Sequence, residues 1–120
     1  MIAPQLAQSA YATSAQSVRT PRGTEYDVIA KITAALKTNA KASFSRLVHA
    51  LHDNRRLWTL LAADVSDDEN KLPEDIRAQI FYLSEFVSQH TSKVLQQKGD
   101  VDVLVDINTA VLRGLKPKGA

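Results

Sequence analysis

The side chains that could bind a metal are few in this chain and poorly placed for the task. His49 and His52 stand three positions apart, which would put both on one side of a helix, but no third ligand lies near them in the sequence. Alternate residues of the range 64–68 offer oxygen atoms, yet Glu69 stands where a calcium loop requires glycine. We therefore predict no metal site.

Motifs that carry catalysis or hold a cofactor are also missing from the sequence. There is no glycine-rich phosphate loop, no HExxH motif and no GxSxG turn, and the chain has only 4 glycines with which to build close backbone approaches. It has no cysteine, which excludes a disulfide framework, a thiol nucleophile and cysteine-ligated zinc. We predict a protein that is not an enzyme, with no catalytic residues and no cofactor.

Length and composition indicate one ordinary globular domain spanning residues 1–120. The chain is 44% hydrophobic and 23% charged, and no stretch reaches the roughly 20 apolar residues of a membrane span. The first residues lack the basic and apolar regions of a signal peptide, so we expect a cytoplasmic protein. Its 15 basic residues exceed its 13 acidic residues only slightly, which makes nucleic acid an unlikely partner.

Apolar residues recur at three- and four-residue spacing, which predicts an all-α fold, a single-domain bundle of about five to six helices. The N-terminal segment 1–17 is weakly apolar, and we expect it to be helical only when docked. Thr20 and Pro21 are typical of a helix start, and a second helix is expected to end near Thr38. The next helix should break near Asp53-Asn54, where a short polar side chain can cap a new helix.

The second half of the chain should contain two further helices separated by clear punctuation. The acidic run 66–71 lacks an apolar period and predicts a loop. A long helix is expected over 73–97, touched from several sides, and Gly99 should follow its end. Asp100 can cap a last helix, and the tail 116–120 should be mobile.

Three polar or aromatic residues lie on apolar stripes, where a core role competes with a functional one. Trp58 follows the stripe of its helix, so we interpret it as a core residue, with a partner-facing anchor as the alternative. His90 and Asn108 are expected to be hydrogen-bonded core residues. Helical geometry turns Arg55 away from Trp58, which predicts an ordinary surface position for that arginine.

A basic group of residues offers the one feature that would suit RNA. Aromatic residues do not alternate with its members, as binding of single-stranded RNA would favour, so we interpret it as a solvated face. Its members are Lys37, Lys41, Arg46, Arg55 and Arg56.

The order of motifs along most of the chain resembles the flagellar biosynthesis regulator family FlaF. The most specific part is the block Ala50-Leu51-His52-Asp53-Asn54-Arg55-Arg56-Leu57-Trp58. The other parts, in order, are Ala10-Tyr11, Thr20-Pro21-Arg22 with Glu25, Asp64, Leu72-Pro73, Arg77-Ala78-Gln79, Phe86-Val87 with His90, Ile107-Asn108 and Gly114-Leu115.

The resemblance implies a small cytoplasmic factor that acts on flagellin as a secretion chaperone and regulator, alongside a second regulator called FlbT. The terminal helices of flagellin would be the bound segments, because their amphipathic faces must be covered before the filament assembles. The alternative hypothesis is that the protein is an RNA-binding regulator of flagellin synthesis. A third hypothesis is that it is an adaptor for another assembly protein. Candidate partner-binding residues are Tyr11, Arg22, Glu25, Asn54, Arg55, Trp58, Phe81 and Phe86, the two phenylalanines as groove walls.

Overall fold

The computed structural model describes residues 21–115, with side chains placed for residues 25–114, and this part of the chain holds helices and no strand. The helices are α1 (Pro21–Asn39), α2 (Phe44–Val65), α3 (Glu74–Leu95) and α4 (Val101–Leu115). The prediction of an all-α fold is confirmed. The described part has four helices rather than five to six. The predictions for segment 1–17 and for the tail 116–120 fall outside the described residues.

The four helices are arranged as a closed ring of neighbours. Consecutive helices pack on each other, α1 also packs on α4, and the α3–α4 interface is the least extensive of the four. Short connections of this kind place consecutive helices antiparallel. The core lies inside the ring, and its buried apolar residues are Leu36, Ala50, Leu51, Trp58, Val87, Val94, Leu104 and Val105. Within the described residues, none of the helices is both apolar enough and long enough to cross a membrane.

Helix α2 runs without interruption through Asp53 and Asn54, so the predicted break there is wrong. The side chain of Asn54 is fully buried and accepts a hydrogen bond from Asn108, which leaves it no role as a cap. The helix starts earlier, after Ser43, whose hydroxyl accepts the backbone N–H of Arg46 at 3.2 Å. A tertiary hydrogen bond has thus overridden the local preference of asparagine for helix ends.

The other predicted helix boundaries agree with the structure to within two residues. Helix α1 begins at Pro21, the acidic run lies between α2 and α3, and the first turn of α3 contains Glu74 and Asp75. Asp100 caps α4, since its Oδ1 accepts the backbone N–H of Asp102 at 2.9 Å. These local signals were sufficient because they act within a few residues.

The end of α3 shows two separate backbone requirements. Gln97 has φ 61° and closes the helix, with its N–H bonded to the carbonyl of Val94 and the next N–H bonded to that of Lys93. Gly99 is needed for space instead, because a Cβ there would lie 3.0 Å from the Cβ of Lys93 and 3.2 Å from Cε1 of His90. The turn therefore brings the start of α4 very close to the last turns of α3.

Candidate partner-binding surface

A buried network of polar side chains joins α1, α2 and α4. The indole Nε1 of Trp58 donates to Oδ1 of Asn108 at 2.9 Å. The amide of Asn108 donates to Oδ1 of Asn54 at 2.8 Å and to Oγ1 of Thr33 at 3.0 Å. Thr33 in turn donates to the carbonyl of Ile29. All these side chains are buried, so the network fixes how the three helices sit against one another.

Two candidate binding residues therefore belong to the core. Trp58 is 2% exposed and Asn54 is fully buried, so neither can touch a partner while the bundle is folded. The interpretations of Trp58 as a core residue and of Asn108 as a hydrogen-bonded core residue are confirmed, and the hydrogen bond between them was not predicted. The side chains of Trp58 and Asn54 help to hold α2 and α4 together through their hydrogen bonds with Asn108.

Arg55 reaches across to α3, which corrects the prediction of an ordinary surface position. One of its terminal nitrogens donates to the carbonyl of Ser88 at 2.6 Å and to Oγ of Ser92 at 2.7 Å. Arg55 is half-buried and borders a cleft of about 190 Å³ between the two helices. Its direction relative to Trp58 on α2 did not reveal that α3 packs on the side to which it points.

Three further candidates lie at or beyond the edge of the described region. Tyr11 is outside it, and for Arg22 only the backbone, in the first turn of α1, is described. Glu25 is half-buried on α1.

Arg77 fastens the start of α3 to the loop after α2. Its Nε donates to the carbonyl of Val65 and a terminal nitrogen donates to that of Asp67, both at 2.9 Å. In the same loop Asn70 donates to Oδ2 of Asp64 at 3.1 Å. Burial raises the pKa of the Asp64 carboxyl, and the nearby charge of Asp67 raises it further. The acidic connection is thus an ordered structure that fixes where α3 begins.

Large apolar side chains are exposed mainly in one stretch of the chain. Of the six in the described residues, five lie between positions 72 and 86, and the sixth is Phe44 at the start of α2. The five are Leu72, Ile76, Phe81, Tyr82 and Phe86. Exposed apolar residues gathered on one element are typical of a surface that binds another protein.

Phe81 and Phe86 do not wall a single groove. They are five positions apart, which is about 140° around a helix, so each stands on a different edge of α3. Tyr82 lies between these edges and is 70% exposed, the largest exposure of the five. Sequence reasoning missed Tyr82, although an aromatic side chain opposite the stripe of Val87 and Val94 was a usable signal.

Helical spacing places Ile76 on the same side of α3 as Ile80 and Val87, yet Ile76 is exposed. Helix α3 has 22 residues and α4 has 15. With a rise of about 1.5 Å per residue, the first turns of α3 extend roughly 10 Å past the last described turn of α4. Near their connection, α4 covers one side of α3. At the start of α3, where Ile76 lies, the described part of α4 does not reach that side.

His90 supports Phe86 from one turn further along α3. The two rings are stacked, with centroids 5.7 Å apart and planes within 11°. The Nε2 of His90 lies 2.8 Å from the carbonyl oxygen of Asp100, so this nitrogen carries the proton and donates. The predicted hydrogen bond of His90 is confirmed, but the residue is half-buried at the α3–α4 turn rather than in the core.

Exposed charged side chains are unevenly distributed over the described surface, with an excess of acids around the start of α3, where Lys71 is the exposed basic residue. The exposed acids Asp68, Glu69, Glu74 and Asp75 precede or begin α3, and Glu85 stands on its outward side. The exposed basic residues Lys37, Lys41, Arg46 and Arg56 lie on α1, α2 and their connection. No group of three histidine, aspartate or glutamate residues among the described side chains could hold a metal.

Comparison with known proteins assigns a family to almost the whole chain. The family model described as flagellar protein FlaF matches residues 7–115. No protein of curated function and no solved structure matches the chain. The match includes the buried network, the Arg55 contact and the exposed stretch 72–86.

Proposed function

Because the chain belongs to the FlaF family, we propose that it is a non-enzymatic flagellar assembly factor that binds flagellin in the cytoplasm. In this role it acts as a secretion chaperone and regulator, in the same pathway as FlbT. The observation that carries the proposal is the group of exposed apolar side chains between Leu72 and Phe86 on a well-packed bundle. Exposed apolar side chains gathered in one region are typical of a surface that another molecule covers.

The physical task of such a chaperone is to cover amphipathic helices. Terminal helices of flagellin have apolar faces that would associate prematurely if they stayed open in the cytoplasm. An exposed helix with aromatic side chains can bind such a face through apolar contact, much as one helix packs on another within a bundle. The protein can also regulate flagellin if the concentration of unbound protein depends on how much flagellin has not yet been exported.

RNA binding is the competing function, and the described surface gives it little support. Lys37, Lys41, Arg46 and Arg56 are exposed, but no exposed aromatic side chain lies among them except Phe44. Single-stranded RNA is usually held by stacking on aromatic rings together with phosphate contacts. The exposed aromatic residues of α3 lie near acids, which would repel phosphate.

Titration of the purified protein with flagellin monomer and with flagellin messenger RNA, each at two salt concentrations, tests the proposal. We expect flagellin to bind with an affinity that changes little between the two salts, because apolar contact dominates. RNA binding through phosphates would weaken steeply as salt rises. Binding of RNA with a slope worth several phosphates, together with no binding of flagellin, would overturn the proposal.

A further inference from the structure

We infer that flagellin binds on the outward face of α3, and that the bound segment is an amphipathic helix whose apolar stripe is bordered by lysine or arginine. This inference rests on the proposed function and adds the surface and the chemistry of the bound helix. We call this surface the α3 face and define it by Ala78, Phe81, Tyr82, Glu85 and Phe86. All five residues are exposed.

The α3 face has the shape that a helix needs for docking. Around α3, Tyr82 lies about 100° from Phe81 and about 40° from Phe86. Phe81 and Phe86 therefore stand at the two edges of the outward side, and Tyr82 stands between them. Ala78 lies one turn before Tyr82 and leaves a shallow position where a partner side chain can enter. The buried side chains of α3, Ser84, Val87, Thr91 and Val94, face the opposite way.

Contacts on both sides hold the α3 face in place before any partner arrives. Arg55 ties the α2 side of the helix through Ser88 and Ser92, while Arg77 ties its start to the preceding loop. Stacking on His90 orients Phe86 on the α4 side. A surface that is already ordered loses little conformational entropy on binding, which favours affinity.

The acidic residues around the α3 face favour a partner helix that carries basic residues. Glu85 lies between the aromatic positions, and Glu74 and Asp75 lie at the start of the same helix. Over positions 68–93 five exposed acids outnumber two exposed basic residues, Lys71 and Lys93. The half-buried Arg77 is engaged with the carbonyls of Val65 and Asp67. Basic residues beside the partner's apolar stripe would pair with these acids and could also contact the aromatic faces.

A second copy of this chain is a poor occupant by the same argument. Two α3 faces packed with their helices parallel would bring Glu85 and the acids of the first turn of one copy close to those of the other. Like charges placed opposite each other across an interface oppose association. The acidic surroundings therefore favour a basic partner helix over a homodimer.

Two substitutions on the α3 face, each with a matched control elsewhere, test the inference with purified flagellin monomer as the probe. Tyr82→Ser should weaken binding about tenfold or more, as expected for an aromatic residue at the centre of an interface. Phe44→Ser removes the one large apolar side chain that is exposed outside the stretch 72–86 within the described residues, and it should change binding by less than about twofold. Circular dichroism and thermal melts of each variant separate lost binding from lost folding.

The charge requirement is tested by reversing one acid and by changing the probe. Glu85→Lys should weaken flagellin binding about tenfold, whereas Asp106→Lys on α4 should leave it within about twofold. Two synthetic helices with the same leucine stripe, one bordered by lysines and the other by glutamates, should bind the wild-type protein in that order of affinity. Glu85→Lys should reduce the difference in affinity between the two peptides.

The outcomes distinguish this inference from the proposed function. If wild-type protein binds flagellin and Tyr82→Ser binds equally well, the surface assignment is wrong and the proposed function stands. If both peptides bind equally, the charge argument is wrong. A wild-type dimer that Tyr82→Ser converts to a monomer would make a second copy the occupant and overturn the inference. If wild-type protein does not bind flagellin at all, the proposed function itself fails.

Discussion

The indole of Trp58 and the amide of Asn108 are joined by a 2.9 Å hydrogen bond across the centre of the bundle. Their helices, α2 and α4, lie on opposite sides of the ring and are not packed neighbours. Because Asn108 also donates to α1 through Thr33, one side chain connects three helices.

Replacing Asn108 with alanine should lower the free energy of unfolding by about 3 kcal/mol or more. The change leaves Nε1 of Trp58 and Oδ1 of Asn54 buried without their partner, and each orphaned group costs about 1–3 kcal/mol. Denaturant unfolding followed by circular dichroism measures the loss. Asp106→Ala, an exposed change on the same helix, should stay within about 0.5 kcal/mol. Equal losses in the two variants would refute the role of the network.

The neighbouring arginines of α2 should differ clearly in their effect on stability. Arg55→Ala removes two hydrogen bonds to α3 and should cost about 1–3 kcal/mol. Arg56 is exposed, and Arg56→Ala should stay within about 0.5 kcal/mol. Both values come from urea denaturation under the same conditions. A cost for Arg56→Ala that matches or exceeds that for Arg55→Ala would contradict the contact between Arg55 and α3.

Two glycines should respond to alanine with opposite signs. At Gly99 a Cβ would press on Lys93 and His90, and we expect a loss of about 1 kcal/mol or more. At Gly114, within α4, a Cβ would meet nothing within 4 Å, and alanine should add about 0.5–1 kcal/mol through helix propensity. Thermal melts of the two variants beside the wild type give both signs. A gain at Gly99 would show that the turn has room to spare.

The buried carboxyl of Asp64 should make stability depend on pH in a defined direction. Its pKa is raised above the usual 3.8, so the folded state holds this proton more tightly than the unfolded chain does. The stability from this group is complete below pH 3.8 and is lost as the pH rises through the folded-state pKa. Asp64→Asn cannot titrate there, so its stability relative to wild type should increase over that range and then level off. A difference that is constant between pH 3 and about pH 7 would be incompatible with burial of the charge.

The sequence by itself determined the all-α fold class, the family and most helix boundaries. Caps and breakers act within a few residues, so Pro21, Glu74-Asp75 and Asp100 marked helix starts correctly. Apolar spacing identified Trp58 as a core residue. The motif order pointed to the family whose model matches residues 7–115.

Only the tertiary structure decided which side of each helix another helix covers. Asn54 resembled a cap, yet burial against Asn108 keeps it inside α2. Arg55 resembled a surface residue, yet α3 lies where its side chain reaches. Tyr82 was not among the residues predicted to bind a partner, yet it lies near the middle of the exposed side of α3. Periodicity fixes directions around one helix, whereas exposure depends on the positions and lengths of its neighbours, which are set by contacts between residues far apart in the chain.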